Sequence, residues 1–249
     1  MLSWIPAFVS LFRNKQKNQT TRLQDNSTHD IHERELFAFL AKKGSVDFNI
    51  KDSKGWSPIH RAIVTGHVEI MKLLIYKSKG ADLNTSSCSE HTPLTYAILK
   101  ENLEIVEELI KSGADVDKED DYGWTPLTMA IHKGNQEITK LLTREAVNPN
   151  FFDSKNWTPI TSAIEEENLE IMKLLVENGA DVNIHDRNGG TAFHETIIRK
   201  YTKMFNYFLD NGANIALRTV KFRHNSLELA MKPNRTNMLK QLIYHLEND

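Results

Sequence analysis

The chain has 249 residues, 40% of them apolar and 26% charged, which is typical of a soluble chain long enough for a large or elongated domain. Its formal net charge of −2 excludes a general electrostatic attraction to nucleic acid. The single cysteine, Cys88, excludes an intramolecular disulfide and is consistent with a reducing compartment.

Residues 1–17 form an apolar segment with a basic end. The segment is too short to span a bilayer, and Pro6 interrupts it. A secretory signal carries its positive charge before the apolar run, whereas Arg13, Lys15 and Lys17 follow it here. The segment either folds back to cover the first repeat or lies in a membrane interface as an anchor. We favour the cap, because a single segment binds membranes weakly.

A tripeptide recurs from residue 57 to the C-terminal region, with proline in the middle of its first four copies. Its six copies are Ser57-Pro58-Ile59, Thr92-Pro93-Leu94, Thr125-Pro126-Leu127, Thr158-Pro159-Ile160, Thr191-Ala192-Phe193 and Asn225-Ser226-Leu227. The middle positions are separated by 35, 33, 33, 33 and 34 residues. A fixed period of about 33 residues predicts stacked helical repeats.

The repeat around Thr158 shows how one unit is built. The Thr158 hydroxyl can cap a first helix, and Pro159 suits the first turn, where the missing N–H costs nothing. Gly179 can adopt the left-handed conformation that ends a second helix. The apolar faces of the two helices are predicted to comprise Ile160, Ala163, Ile164, Ile171, Leu174 and Leu175. One unit cannot bury both faces, so neighbouring units must stack.

These features together resemble the ankyrin repeat. The proline tripeptide, second helices such as Asn168-Leu169-Glu170-Ile171 and exits such as Gly179-Ala180-Asp181-Val182-Asn183 recur in phase from about Ser45 onward. The resemblance implies an all-α solenoid of stacked helix-turn-helix units with β-turn or hairpin fingers, capped at both ends.

The domain organisation follows from this spacing. We expect an N-terminal segment and polar linker at 1–30, a capping unit at 31–50, repeats at 51–84, 85–117, 118–150, 151–183 and 184–215, and a C-terminal capping repeat at 216–249. The finger of the repeat at 85–117 departs from the family pattern, because Ser87-Cys88-Ser89-Glu90 replaces the usual Asp-x-x-Gly. The shape of that turn is therefore in doubt.

The resemblance also implies a binding surface. In ankyrin-like stacks the fingers and first helices form a concave face, and the residue before Thr-Pro points into it. We call this position the slot; it holds Trp56, His91, Trp124, Trp157 and Gly190. The tryptophans either pack on their own fingers or form an aromatic ladder that anchors a partner protein. We favour the ladder, because tryptophan is a frequent binding hot spot.

Other residues of the same face are predicted to contribute to partner binding. On the fingers these are Lys54, Tyr122, Lys155 and Arg187. At the exposed ends of the first helices they are Leu99, Lys100, His132, Lys133, Glu165, Glu166 and Arg199.

Charge is distributed unevenly along the chain. Nine acids and two lysines lie between Glu101 and Asp121, whereas ten bases and three acids lie between Arg187 and Lys240. Such runs are usually solvated helix faces, and we favour that interpretation. The alternative is a bipolar groove that orients the partner.

The pattern of polar residues does not indicate an enzyme. His60 and His194 occupy matching repeat positions and resemble the ankyrin histidine that hydrogen-bonds within its own finger and helix. His67, His132 and His185 have no neighbour at zinc-ligand spacing, and Cys88 lacks the context of a nucleophile. We therefore expect no catalytic residue, no cofactor and no metal.

The sequence favours a non-enzymatic, cytoplasmic and monomeric scaffold or adaptor that binds a partner protein but not nucleic acid. The many Lys, Asn and Ile residues suggest an AT-rich genome and lean towards an effector that an intracellular bacterium secretes into the host cytosol. The alternatives are a peripheral membrane tether acting through residues 1–17 and an inhibitor of a partner enzyme.

Overall fold

The computed structural model describes residues 49, 51, 55–77, 81–87, 90–145, 147–154, 157–186, 189–220 and 223–248. The predicted N-terminal segment and linker, all but Asn49 of the first capping unit, and the site candidates Lys54, Lys155 and Arg187 lie outside these residues.

The described residues form twelve α-helices in six consecutive pairs. In chain order they are α1 (Pro58–Thr65), α2 (Val68–Lys77), α3 (Pro93–Leu99), α4 (Leu103–Lys111), α5 (Pro126–His132), α6 (Gln136–Arg144), α7 (Pro159–Glu165), α8 (Leu169–Glu177), α9 (Ala192–Arg199), α10 (Thr202–Asp210), α11 (Ser226–Ala230) and α12 (Thr236–Asn248). Two isolated antiparallel bridges, His185 with Thr191 and Arg218 with Asn225, are the β-structure seen in this part of the chain. No helix among the described residues is long and apolar enough to cross a membrane.

The first helix of each pair begins where the tripeptide predicts. In α7 the Thr158 hydroxyl accepts a hydrogen bond from the Thr161 N–H at 3.3 Å, and Pro159 occupies the first turn. The Thr161 hydroxyl in turn accepts from the Thr158 N–H at 3.0 Å, which completes a capping box. Thr125 caps α5 in the same way, and the Thr92 hydroxyl caps α3 by accepting from the Thr95 N–H. The predicted role of Thr158 is confirmed.

Three of the second helices, α4, α6 and α8, begin after an asparagine. The side-chain oxygens of Asn102, Asn135 and Asn168 each accept from the backbone N–H three residues later, at 3.1, 3.0 and 3.0 Å. At the other end of α8, Gly179 has a φ of 89°, the predicted left-handed conformation.

The helices form two compact units, of which the first ends at Ala114 and the second begins at Asp115. In the first unit α1 packs on α3 and α2 on α4. In the second unit the first helices α5, α7, α9 and α11 pack side by side, and the second helices α6, α8, α10 and α12 form another layer. The core lies between these two layers.

The core of the repeat around Thr158 differs from the predicted one at two residues of α8. Ile160, Ala163 and Ile164 of α7 are buried, as expected. In α8 the buried residues are Ile171, Met172 and Leu175, whereas Leu174 is only half-buried. The buried stripe is therefore rotated by about one residue, because α8 packs against α7 and also against both neighbouring second helices.

Asparagines connect the exits of successive repeats. Asn150 accepts from the Asp181 N–H at 2.7 Å and donates to the Gly179 carbonyl at 3.2 Å. Asn183 likewise accepts from the Asn214 N–H at 2.8 Å and donates to the Gly212 carbonyl at 3.1 Å. Each side-chain amide thus uses both its acceptor and its donor to fix the spacing of two repeats.

Candidate functional site

Buried aspartates fix the fingers that carry Trp124 and Trp157. The Asp120 N–H donates to the Trp124 carbonyl at 3.0 Å, and the Asp120 carboxylate accepts from the Trp124 N–H at 2.9 Å. Asp153 makes the same two bonds to Trp157, at 3.0 and 2.8 Å. The backbone of each tryptophan is therefore held before any partner arrives.

The described residues of the finger at 85–117 make the same backbone hydrogen bonds as the next finger despite its unusual sequence. The Ser87 N–H donates to the His91 carbonyl at 2.9 Å, and the Glu90 N–H donates to the Ser87 carbonyl at 3.0 Å. Glu90 has a φ of 63°, close to the 79° of Gly123 at the matching position of the next finger. A residue with a side chain pays roughly 1–2 kcal/mol for this conformation, so the turn forms at a cost in stability.

The second unit contains a pocket on its finger and first-helix side. We call this side the finger face. The pocket has a volume of about 230 Å³ and is lined by Trp124, His132, Asp153, Trp157, Ser162, Glu165 and Glu166. Five of these residues were predicted from the sequence. Asp153 and Ser162 were missed; the signal for Asp153 is its place as the first residue of an Asp-x-x-x-Trp finger.

Trp124, His132 and Glu166 form one connected group in this pocket. The rings of Trp124 and His132 stack with centroids 5.0 Å apart and planes 30° apart. The Nδ1 atom of His132 lies 2.7 Å from the Glu166 Oε1 atom. This ion pair or hydrogen bond joins the ends of α5 and α7 across the pocket.

Glu165 is paired with Arg199, another predicted site residue. The Arg199 guanidinium contacts the Glu165 carboxylate and also lies 3.4 Å from the carboxylate of Glu195. Burial, and secondarily the charge of Asp186, raises the pKa of Glu195 above its usual range. Arg199 is therefore shared between two carboxylates of neighbouring first helices.

The slot residues of the first unit are arranged differently. The Trp56 ring meets the Tyr96 ring edge-on at 5.2 Å, and the Arg61 guanidinium carbon lies 5.5 Å from the Trp56 ring centroid. His91 lies 6.0 Å from the same tyrosine, and the Lys100 ammonium lies over the tyrosine ring at 5.4 Å. The sequence interpretation missed Arg61 and Tyr96, whose shared signal is their position five residues after the slot.

Exposure differs among the remaining candidates. Tyr122 is exposed at its finger tip, and Lys100 is exposed at the end of α3, whereas Leu99 and Lys133 are half-buried. Trp56, Trp124 and Trp157 are also half-buried. Each indole therefore both packs on its own repeat and presents part of its surface to the finger face, and partner binding by these residues stays a prediction.

His60 and His194 play the structural role expected of them. His60 Nδ1 lies 2.7 Å from the Ser57 hydroxyl, and His194 Nδ1 lies 3.0 Å from the Thr191 hydroxyl. The Nε2 atom of each ring additionally reaches a carbonyl of the next repeat, His91 at 3.3 Å and Leu217 at 3.1 Å. Burial lowers the pKa of both histidines from 6.5 to about 4. Among the described residues no group of His, Cys, Asp and Glu is arranged to hold a metal ion.

Four of the nine acids in the acidic run do not contribute to a charged finger face. Glu104 and Glu108 lie on α4, a second helix, each 3.8 Å from the ammonium of Lys72. Glu107 pairs with Lys111 on the same helix at 3.3 Å. Asp120 is buried within its finger. These acids therefore fit the favoured interpretation of a solvated helix surface better than a bipolar groove.

Successive helix pairs with turn fingers define a helical repeat protein of the kind that serves as a non-enzymatic interaction module. The family model for ankyrin repeats in three copies matches residues 29–120 and 102–186, which is more than half of the chain. The chain belongs to the ankyrin-repeat family, and the resemblance noted in the sequence is confirmed.

Relatives of known name match only parts of the chain. Neurogenic locus notch homolog protein 1 of Xenopus tropicalis is 33% identical over 43% of this chain and 4% of its own length. A putative ankyrin repeat protein of Rickettsia felis is 34% identical over 33% of this chain and 27% of its own length. The probable 26S proteasome regulatory subunit p28 of Saccharomyces cerevisiae is 31% identical over 41% of this chain and 45% of its own length. The matched region thus spans less than half of each relative.

The fold is shared with a solved ankyrin domain. The ankyrin repeat domain of Bcl-3, a member of the IkappaB protein family, superposes with a TM-score of 0.78 over 93% of this chain and 96% of that domain, at 21% identity. The predicted ankyrin-repeat solenoid is therefore confirmed. Ankyrin repeats indicate a protein–protein interaction domain.

Proposed function

We propose that this chain is a non-enzymatic adaptor that binds a partner protein on the finger face of its second unit. The observation that carries the proposal is the pocket between Trp124 and Trp157, which leaves parts of two indoles accessible next to polar groups. Large aromatic residues beside a recess are common anchors of protein interfaces.

Preorganisation supports the same proposal. Asp120 and Asp153 each hold a tryptophan backbone through two hydrogen bonds, and the His132–Glu166 contact joins two neighbouring first helices. A surface that is already ordered loses little conformational entropy when it binds, so a few anchors suffice for useful affinity. The mechanism would be rigid presentation of these anchors.

The proposal includes a monomeric state and a cytoplasmic location, as the sequence favours. A bacterial effector role has weaker support, namely the Lys, Asn and Ile content and one relative from Rickettsia felis among animal, viral and yeast ones.

The test is a pull-down with the whole chain, read by mass spectrometry. Replacing both Trp124 and Trp157 by alanine should abolish capture of the partner while circular dichroism shows native helix content. The matched control replaces Ile243 and Tyr244, two exposed apolar residues on α12, and should capture the partner normally. Capture that survives the double tryptophan change in a folded protein would show that these indoles are not the anchor.

A further inference from the structure

The residue five positions after the slot contacts the slot tryptophan of the first unit. In successive repeats this position holds Arg61, Tyr96, Met129, Ser162 and Glu195. Serine is by far the smallest of these side chains. We call this position the cover position.

In the first unit the cover position supplies both neighbours of Trp56. Arg61, from the same repeat, places its guanidinium carbon 5.5 Å from the centre of the Trp56 ring. Tyr96, from the following repeat, meets the ring edge-on at 5.2 Å. A slot tryptophan can thus be covered by the cover residue of its own repeat and by that of the next one.

In the second unit Ser162 takes one of the two roles for each tryptophan. It is the cover residue of the repeat that contains Trp157, and also of the repeat that follows Trp124. The other cover residue of Trp124 is Met129, from its own repeat, and that of Trp157 is Glu195, from the next repeat. The short side chain of Ser162 turns back to its own helix, where the hydroxyl donates to the Thr158 carbonyl at 3.1 Å. The pocket lined by both tryptophans and Ser162 is therefore the space that a long cover residue would fill.

The charge around this space favours a cation. The exposed residues Glu165 and Glu166 line the pocket, together with the buried Asp153. The contact with Arg199 uses Oε2 of Glu165, and the contact with His132 uses Oε1 of Glu166. Each carboxylate oxygen can accept more than one hydrogen bond, so both groups can accept from a further donor. The Trp157 ring adds the attraction of an aromatic ring for a cation, whereas the Trp124 ring is stacked on His132.

We propose that this pocket binds an arginine side chain of the partner protein. The guanidinium would lie against the Trp157 ring as that of Arg61 lies against Trp56, with its N–H donors directed to Glu165 and Glu166. Arginine fits better than lysine, because its planar fork both stacks on indole and pairs with carboxylates. This inference rests on the proposed function and specifies the chemistry of the partner.

The direct test is a titration of the isotope-labelled whole chain with N-acetyl-arginine amide. The indole N–H signals of Trp124 and Trp157 should shift and saturate, with a dissociation constant on the order of 1–10 mM. Trp56 provides an internal reference, because Arg61 and Tyr96 already contact it, and its signal should move little. The citrulline analogue, which has the same shape without the charge, should bind at least about 5-fold more weakly.

Three variants, one of them a control, locate the binding of the arginine probe in this pocket. Ser162→Arg places a guanidinium inside the chain where Arg61 has one, and should weaken binding of the arginine probe about 10-fold. Asn237→Arg adds the same charge on α12 and should leave binding unchanged. Glu166→Gln should also weaken binding of the arginine probe, without adding bulk to the pocket.

Several results would overturn the inference. The first is binding of the citrulline analogue, or of N-acetyl-lysine amide, as tight as that of the arginine probe. The others are unchanged arginine binding in Ser162→Arg and the absence of shifts at both tryptophans. Its failure can be told apart from failure of the proposed function. If the Trp124→Ala, Trp157→Ala double variant loses the partner while arginine does not bind, the adaptor proposal stands and the arginine pocket does not.

Discussion

His60 and His194 make the stability of this protein depend on pH. Burial holds the pKa of each near 4 in the folded chain, against 6.5 when the ring is exposed. Above pH 6.5 both rings are neutral in either state, so their full contribution to stability is present. Between pH 6.5 and 4 the unfolded chain binds protons that the folded chain does not, and stability falls.

The expected effect can be measured by urea unfolding at several pH values. Each histidine should account for a loss of up to about 3 kcal/mol between pH 7.5 and pH 4. His194→Thr copies the threonine that the repeats at 85–117, 118–150 and 151–183 carry at this position, namely Thr95, Thr128 and Thr161. Its unfolding free energy should fall less steeply with acidification than that of the wild type. If the unfolding free energies of the two proteins fall equally with pH, His194 is not a source of the pH dependence.

Asp117 occupies the position that Asn150 and Asn183 hold in later repeats. Its carboxylate accepts a hydrogen bond from the Asn148 backbone, as the asparagines accept from their following repeats, but it has no N–H to donate. Burial, followed by the charge of Asp115, raises the pKa of Asp117. An ionised carboxylate is therefore less well accommodated here than an amide.

Asp117→Asn should stabilise the protein by roughly 0.5–1.5 kcal/mol at pH 7, the typical net value of a hydrogen bond. The gain should shrink as the pH is lowered, because protonation gives the aspartic acid a donor as well. Asp181→Asn, at an exposed position two residues before Asn183, serves as the charge-matched control. The Asp181 carboxylate accepts a hydrogen bond from the Asn183 N–H, which an amide oxygen can also accept, so no such gain is expected. A destabilised Asp117→Asn protein would refute this interpretation.

At the scale of the element, the turn of each finger depends on its left-handed residue. Gly123 has a φ of 79°, and a β-carbon added there would lie 2.9 Å from the Ser154 β-carbon and closer still to the Ser154 hydroxyl. Gly179, at the end of α8, has a φ of 89° with nothing within 4 Å of an added β-carbon. An alanine at either position would have a strained backbone, but only at Gly123 would its β-carbon also clash with a neighbour.

Alanine substitutions separate these two effects. Gly179→Ala should cost about 1 kcal/mol of unfolding free energy, from backbone strain alone. Gly123→Ala should cost at least about 1 kcal/mol more, because the fingers carrying Trp124 and Trp157 would have to shift apart. Thermal or urea unfolding of the two variants gives the comparison, and equal losses would mean that the fingers are not closely packed.

Local chemistry explains why the elements could be predicted from the sequence. Thr158, Pro159 and Asn168 mark helix starts through bonds within a few residues, and Gly179 marks an end through its own φ. The rotation of the buried face of α8 towards Met172 could not be predicted so easily. It depends on how three neighbouring helices share that face.

At the scale of the whole molecule, the sequence located the repeats but not the pocket. The period placed Trp124 and Trp157 in equivalent positions, and this much follows from counting residues. The pocket depends on Ser162 being small where Arg61 and Tyr96 are large, which matters only once their contacts with Trp56 are known. The pairing of Glu165 with Arg199 likewise requires the lateral packing of α7 and α9.

Matched photo-crosslinking tests the central claim, that the finger face of the second unit binds the partner, most directly. The photoreactive residue p-benzoylphenylalanine replaces either Tyr122, exposed on a finger, or Tyr244, exposed on α12. Both changes substitute one exposed aromatic side chain for another, so fold and reactivity are comparable. We expect the partner to be joined covalently to the chain labelled at position 122 and not to the one labelled at 244. Adducts from position 244 alone, or equally from both positions, would contradict the account.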